Sequence, residues 1–254
     1  MCTTCGCGAS SKLAPFSGAS LNSGTSLNSG ASLKLAPVQS HNIQMEKRIL
    51  AENDDYAARV KARLNGLGVS AFNLLSSPGA GKTTLLEETL KVLRDKRPLA
   101  VIEGDQHTDQ DAKRIRATGA HAVQINTGKV CHLEARMVFD ALDDIDLAKN
   151  GMLFIENVGN LICPAGFDLG EDKKVVLFSV TEGEDKPIKY PHIFHAANLV
   201  VISKLDLLPH LRFDLQEAVD YIRQVNPAAE IISLSSYTAN DPGFGDWLAW
   251  LEAV

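Results

Sequence analysis

The octapeptide Ser76-Ser77-Pro78-Gly79-Ala80-Gly81-Lys82-Thr83 directly follows the apolar run Phe72-Asn73-Leu74-Leu75. That order predicts a buried strand, a tight glycine-bearing loop and then a helix. Glycines let backbone N–H groups close around a polyphosphate, and the helix adds the positive end of its dipole. Lys82 is placed to reach the β- and γ-phosphates, and the Thr83 hydroxyl to ligate Mg2+. Ser77, Gly79, Ala80, Gly81 and Thr84 complete the nucleotide-contacting set expected of this stretch. The usual motif opens with glycine, and here Ser76 stands in that position.

Strands and helices alternate on both sides of this loop. Strands are predicted at Ala71–Leu75, Leu99–Ile102, Ala122–Ile125, Met152–Ile155, Val175–Val180, Leu199–Ser203 and Glu230–Leu234. Helices are predicted to begin near Lys82, Thr108, His132, Phe213 and Gly245. A further helix is expected from about Met45 to Leu64, with Met45, Ile49, Tyr56, Val60 and Leu64 near one face. Alternation of this kind predicts an α/β fold: a doubly wound, mostly parallel sheet flanked by helices. Ligands in such sheets bind at the carboxyl ends of the strands, so the residues after each strand are the ones to inspect.

Three Ser/Gly-rich hexads, Ser17–Asn22, Ser23–Asn28 and Ser29–Lys34, precede this region. They cannot bury a core and read as a flexible linker. The expected division is a cysteine-rich metal-binding motif over 1–8, a linker over 9–42 and a nucleotide-binding domain over 43–254. A flexible chain of about 35 residues has an r.m.s. span of about 30–35 Å, so the cysteines can sample much of the domain they are tethered to. The net charge of −6 offers no basic excess for nucleic acid or an anionic membrane, and neither is an expected partner. No apolar run is long enough to span a bilayer, and no basic segment followed by an apolar one opens the chain. A reducing, cytoplasmic setting is therefore expected, in which the five cysteines speak for metal binding rather than disulfides.

Three strand ends carry further nucleotide chemistry. After Ile102 comes Glu103-Gly104-Asp105. Asp105 is either a Mg2+ ligand in a segment that responds to the γ-phosphate or part of an acidic, helix-capping loop. After Ile155 comes Glu156-Asn157-Val158-Gly159-Asn160. Glu156 is expected to serve as the Mg2+-site carboxylate, and Gly159 to let the backbone approach the γ-phosphate. Lys82, Asp105 and Glu156 are the expected catalytic residues. After Ile202 comes Ser203-Lys204-Leu205-Asp206. Guanine presents N1–H and N2–H2 side by side, so one carboxylate can accept both, and Asp206 is expected to select GTP over ATP. The Lys204 stem can lie along the base, and Ser235 follows the last strand.

Two thiol sets can hold metal. Cys2, Cys5 and Cys7 offer three thiolates at short reach, suited to Zn2+, Cu(I) or Ni2+. With Met1 removed, the α-amine of Cys2 becomes a fourth donor, and a square plane favours Ni2+. Cys131, His132 and Cys163 form a second candidate site for Zn2+ or Ni2+ with an open position. Cys131 and His132 are expected at the start of a helix. Cys163, close to the Glu156–Asn160 segment, would make the bound metal sensitive to the nucleotide.

Taken together, these residues resemble the HypB family of hydrogenase nickel-incorporation GTPases. The resemblance covers about 44–254 and the N-terminal thiols. It is carried by Ser77–Thr84, Glu103–Asp105, Thr127–Glu134, Glu156–Asn160 with Cys163-Pro164, and Thr181–Pro187. It implies a SIMIBI-class P-loop GTPase that hydrolyses GTP slowly and dimerises with GTP and metal. It also implies delivery of Ni2+ to the hydrogenase large-subunit precursor with a HypA-type metallochaperone. Two departures are visible. The His-rich tract of some members is absent, and their Ser-Ala-Lys at the last guanine loop reads Ser235-Ser236-Tyr237. Competing readings are a urease accessory GTPase, a small-molecule P-loop kinase and a passive metal buffer. For the tail, Cys5→Ala is expected to abolish the tightest nickel site and leave GTP hydrolysis intact. Equilibrium competition with a nickel chelator and a phosphate-release assay check the two halves of that statement.

Overall fold

The computed structural model describes residues 38–105, 109–235 and 240–254. The Cys2/Cys5/Cys7 motif, the hexad repeats, Ser236 and Tyr237 lie outside the described residues. Two units divide between Ile49 and Leu50. The described part of the first is helical.

In chain order the elements are α1 (Val38–Leu67), β1 (Ser70–Ser76), α2 (Lys82–Leu93), β2 (Leu99–Asp105), α3 (Gln110–Ala117), β3 (His121–Asn126), α4 (Ala135–Ala141) and β4 (Met152–Glu156). There follow β5 (Lys173–Ser179), α5 (Lys186–Lys189), α6 (Pro191–Ala196), β6 (Leu199–Ser203), α7 (Leu215–Val225), β7 (Glu230–Ser233) and α8 (Pro242–Glu252). Short 3-10 turns occupy Cys163–Gly166 and Leu205–His210. The strands form one sheet in the order β3-β2-β4-β1-β5-β6-β7. Every pairing is parallel.

Alternation along each strand feeds two buried faces. Phe72 and Leu74 of β1 pack with Leu85, Leu86 and Leu90 of α2 and with Phe244 and Trp247 of α8. On the opposite face, Ala71, Ala100, Ile102, Leu153 and Ile155 pack with Val60 and Leu64 of α1 and Val138 of α4. Farther along that face, Leu75, Val176, Phe178 and Ile202 meet Phe194 of α6 and Ile222 of α7. The order reverses direction at β1 and β4, where the loops that follow the two strands leave on a shared edge.

Three expectations need correction. The face proposed for α1 is buried only in its C-terminal half. Val60 and Leu64 are in the core, whereas Met45 and Ile49 are 56% and 47% exposed. Cys131 and His132 precede α4 rather than start it. The helix begins at Ala135 because the Asn53 side chain of α1 accepts a hydrogen bond from its N–H at 2.8 Å. The stretch between β5 and β6 holds two short helices, α5 and α6, that the periodicity did not reveal.

Among the described residues Trp247 is the largest fully buried side chain, and its Nε1–H donates to Thr89 Oγ1 of α2 at 2.8 Å. Trp247→Ala is expected to cost about 3–5 kcal/mol. Trp247→Phe, which loses mainly the hydrogen bond, is expected to cost nearer 1 kcal/mol. Urea unfolding of both variants checks the ratio.

Candidate nucleotide and metal sites

The loop after β1 closes tightly because two residues take backbone angles that favour glycine. Gly79 has φ 75° and Gly81 has φ 104°. Gly81 caps α2, so the first turn of that helix points into the loop. Ser76 finds its role here. Its Oγ accepts from Lys82 Nζ at 2.9 Å and donates to the Ser77 carbonyl at 2.6 Å. The side chain in the usual glycine position therefore holds the lysine over the loop.

Thr83 Oγ1 donates to Glu156 Oε1 at 2.7 Å, which joins α2 to the end of β4. Arg114 of α3 donates to Thr84 Oγ1 at 3.3 Å and to Glu87 at 2.6 Å. Gly159 packs against the loop so closely that a Cβ there would lie 2.9 Å from Pro78 Cα. Lys82, Thr83, Asp105 and Glu156 line one cavity of about 430 Å3 with Gly79, Gly81 and Gly159, within the usual range for small-ligand sites.

Glu103 joins that cavity, a role the sequence reading did not give it. It is 2% exposed and stands directly opposite Glu156 across β2 and β4. Burial, reinforced by the Glu156 and Asp105 charges, pushes its carboxyl up to about 8, against the opposing pull of Lys82. Burial raises Glu156 as well, offset by Lys82 and the Thr83 hydrogen bond. The Oε2 atoms of both glutamates are buried without a hydrogen-bond partner. Glu103 was visible in principle, since it lies two residues before Asp105 and so shares its face of the strand.

After β6, Lys204 adopts φ 63°, and its Nζ donates to the Gly79 carbonyl at 2.5 Å. Ser203, where guanine-specific motifs usually carry asparagine, donates to the Ala80 carbonyl at 2.7 Å. The short side chain thus still anchors the loop. Asp206 Oδ1 accepts from Ser235 Oγ at 2.8 Å, which orients the carboxylate from the end of β7.

Cys131, His132 and Cys163 converge although β2 lies between the strands that precede them. Their ligand atoms lie within 4.8 Å of one another. The Cys131 and Cys163 sulfurs are 2.8 Å apart, and His132 Nδ1 is 3.9 Å from Cys131 Sγ. The imidazole lies against the Phe167 ring at 4.1 Å, and its buried Nε2 has no hydrogen-bond partner. Burial lowers the His132 pKa, which favours the neutral, metal-binding form. Two thiols and one neutral imidazole fit a soft or borderline cation.

The chain matches the family model described as the CobW/HypB/UreG nucleotide-binding domain over residues 70–233. Hydrogenase maturation factor HypB of Azotobacter vinelandii is 58% identical over 214 residues, covering 84% of this chain and 70% of that protein. The chain belongs to the HypB family. HypB from Archaeoglobus fulgidus shares the fold at TM-score 0.75 and 38% identity, over 80% of this chain and 98% of that one. HypB from Helicobacter pylori, solved in complex with nickel, matches at TM-score 0.74 and 41% identity, over 80% and 94% of the two chains. Two of the segments that carry the resemblance, Thr127–Glu134 and Glu156–Asn160 with Cys163, supply the residues of the thiol site.

The raised Glu103 pKa has a definite sign in stability. Between the ordinary carboxyl value and about 8, the folded state holds a proton that the unfolded state has lost, so stability falls as pH rises through that window. Glu103→Gln removes this term. In nucleotide-free and Mg2+-free buffer its melting temperature is expected to gain on the parent from pH 5 to pH 9, with the gain levelling off above about 8. A pH-independent difference between the two thermal scans would contradict the assignment.

Proposed function

We propose that this protein is a GTP-hydrolysing nickel chaperone that helps insert Ni into the hydrogenase large-subunit precursor during [NiFe]-hydrogenase maturation. In this reading it works in the cytoplasm with a HypA-type metallochaperone and as a GTP- and metal-dependent homodimer. The observation that carries the reading is the span from Glu156 to Cys163. Its first residue touches the phosphate loop, and its last belongs to the thiol site. Among the described residues no helix is long and apolar enough to cross a membrane.

The phosphate arm of the nucleotide lies in the loop Ser76–Thr83, where backbone N–H groups and the α2 N-terminus meet its charge. Lys82, steadied by Ser76, reaches the β- and γ-phosphates. Thr83, Asp105 and Glu156 are the residues that hold Mg2+. The Oε2 atom of Glu156 supports this, being a buried hard oxygen donor with no hydrogen-bond partner in the lining of the cavity. Held there, Mg2+ would supply positive charge to offset that of the β- and γ-phosphates. Asp206, oriented by Ser235, accepts the two donors of guanine.

Nickel, or zinc in its place, is the cargo at Cys131, His132 and Cys163. A nucleotide moves the cargo equilibrium only through different affinities in its two states. The nickel affinity of this site is therefore expected to differ at least about fivefold between GDP and GTP-analogue forms, the lower end of ordinary coupling. Asp206→Ala is expected to weaken GTP binding at least about tenfold, roughly 1.4 kcal/mol, and to remove the preference over ATP. Competition titrations with a chelator and with a fluorescent nucleotide read the two numbers. Equal nickel affinities, or a parent that prefers ATP, would sink the reading.

A further inference from the structure

The thiol site is strapped to the nucleotide side by two asparagines. Glu156 reaches toward α2, and the next residue, Asn157, projects to the opposite face of the sheet, as the strand pleat requires. Asn157 is 2% exposed. Its Oδ1 accepts from the Leu133 N–H at 3.1 Å, one residue past His132, and from the Val158 N–H at 2.9 Å. Its Nδ2 donates to Asn73 Oδ1 in β1 at 3.4 Å. Asn73 in turn donates to Glu171 Oε1 at 3.1 Å, and Glu171 also accepts from the Leu169 N–H at 2.7 Å. Asn157 is thus an anchor tied into the centre of the sheet.

Asn160 stands differently. Its Nδ2 donates to the carbonyl of Cys131 itself at 3.3 Å, and its Oδ1 accepts from the N–H of Ile162, the residue before Cys163, at 2.8 Å. Between the two asparagines lies Gly159, in close contact with Pro78 of the phosphate loop. One side chain therefore grips both cysteine-bearing segments, and it sits just past the residue that touches the loop.

We propose that Asn157 and Asn160 are positioning residues with separate duties: Asn157 fixes the His132 side of the cargo site, and Asn160 is the latch through which the nucleotide state reaches Cys131 and Cys163. A shift of Gly159 against Pro78 carries Asn160 with it. That pulls on the Cys131 carbonyl and on Ile162 while Asn157 stays anchored. The inference rests on the nickel-chaperone reading above and specifies how its single site is regulated.

The test uses the full-length chain carrying Cys5→Ala, so that the tail does not compete, and titrates Ni2+ in the GDP and GTP-analogue forms. Asn160→Ala is expected to bring the two affinities to within about twofold of each other and leave the GTP hydrolysis rate unchanged. Asn160→Asp keeps the acceptor for Ile162 but sets an anionic oxygen in place of the donor to Cys131, and it is expected to lose the difference as well. Asn157→Ala is expected to weaken Ni2+ in both forms by a similar factor and keep their ratio. A parent-like ratio in both Asn160 variants would overturn the latch while leaving the chaperone reading intact. An equal loss in both nucleotide forms for Asn160→Ala would overturn it too, because that is what a purely structural role gives. Equal affinities in the Cys5→Ala parent would overturn the reading and the latch together.

Discussion

Parallel pairing of β1 with β4 sets Leu74 opposite Glu156, and the rest of the functional architecture depends on that register. It brings the carboxylate at the end of β4 beside the helix that leaves β1, where the Thr83 hydroxyl donates to it at 2.7 Å. The same strand pairs with β2, so Glu103 falls opposite Glu156 and the two acids face one cavity. The pleat then turns the following side chain, Asn157, to the other face, where the loop carrying Cys131 and His132 arrives from β3. A slip of one residue in β4 would exchange these faces and separate the phosphate loop from the thiol site.

Two residues that depart from the usual phosphate-loop and guanine motifs, Ser76 and Ser203, both contact the phosphate loop. Ser76 accepts from Lys82, and Ser203 donates to the Ala80 carbonyl. Each is a short hydroxyl that reaches the backbone or ammonium of the loop from inside the sheet. The acids around Lys82 are the costly part. Glu103 and Glu156 are buried beside Lys82, whose charge opposes the upward shift of both, and Arg114 adds a further opposing charge at Glu156. Burying an acid without full compensation favours its neutral form at a cost in stability, and the pair persists here at the position where phosphate and a divalent cation are proposed to enter.

The strands were legible because a parallel sheet buried on both faces writes near-continuous apolar runs, as in Val175–Ser179 and Leu199–Ser203. Helix starts were less legible. His132 looked like a helix start, but the α4 cap comes from Asn53, 82 residues away in sequence. The helices α5 and α6 have four and six residues, too few to show a 3.6-residue period. Met45 and Ile49 fit the apolar face of α1 but stay exposed, because periodicity states which residues share a face and not how far along the helix that face is covered. In the candidate site, Lys82, Thr83, Glu156, Asp206 and the three thiol-site residues were readable from motif and strand-end position. Glu103 was readable only from strand alternation.

The amino-acid sequence by itself determined the phosphate loop and the parallel α/β class, and it named the residues proposed to touch nucleotide and metal. These follow from local chemistry: glycines where the backbone turns left-handed, apolar runs where strands are buried, and thiols and imidazole for a soft cation. The tertiary structure alone decided that Cys131 and His132 meet Cys163 across an intervening strand. It also decided that Ser76 holds Lys82 and that Asn157 and Asn160 tie the thiol site to the segment after Glu156. These contacts join residues far apart in the chain or set by a particular rotamer. Strand order and register bring such groups together, and no local pattern records strand order.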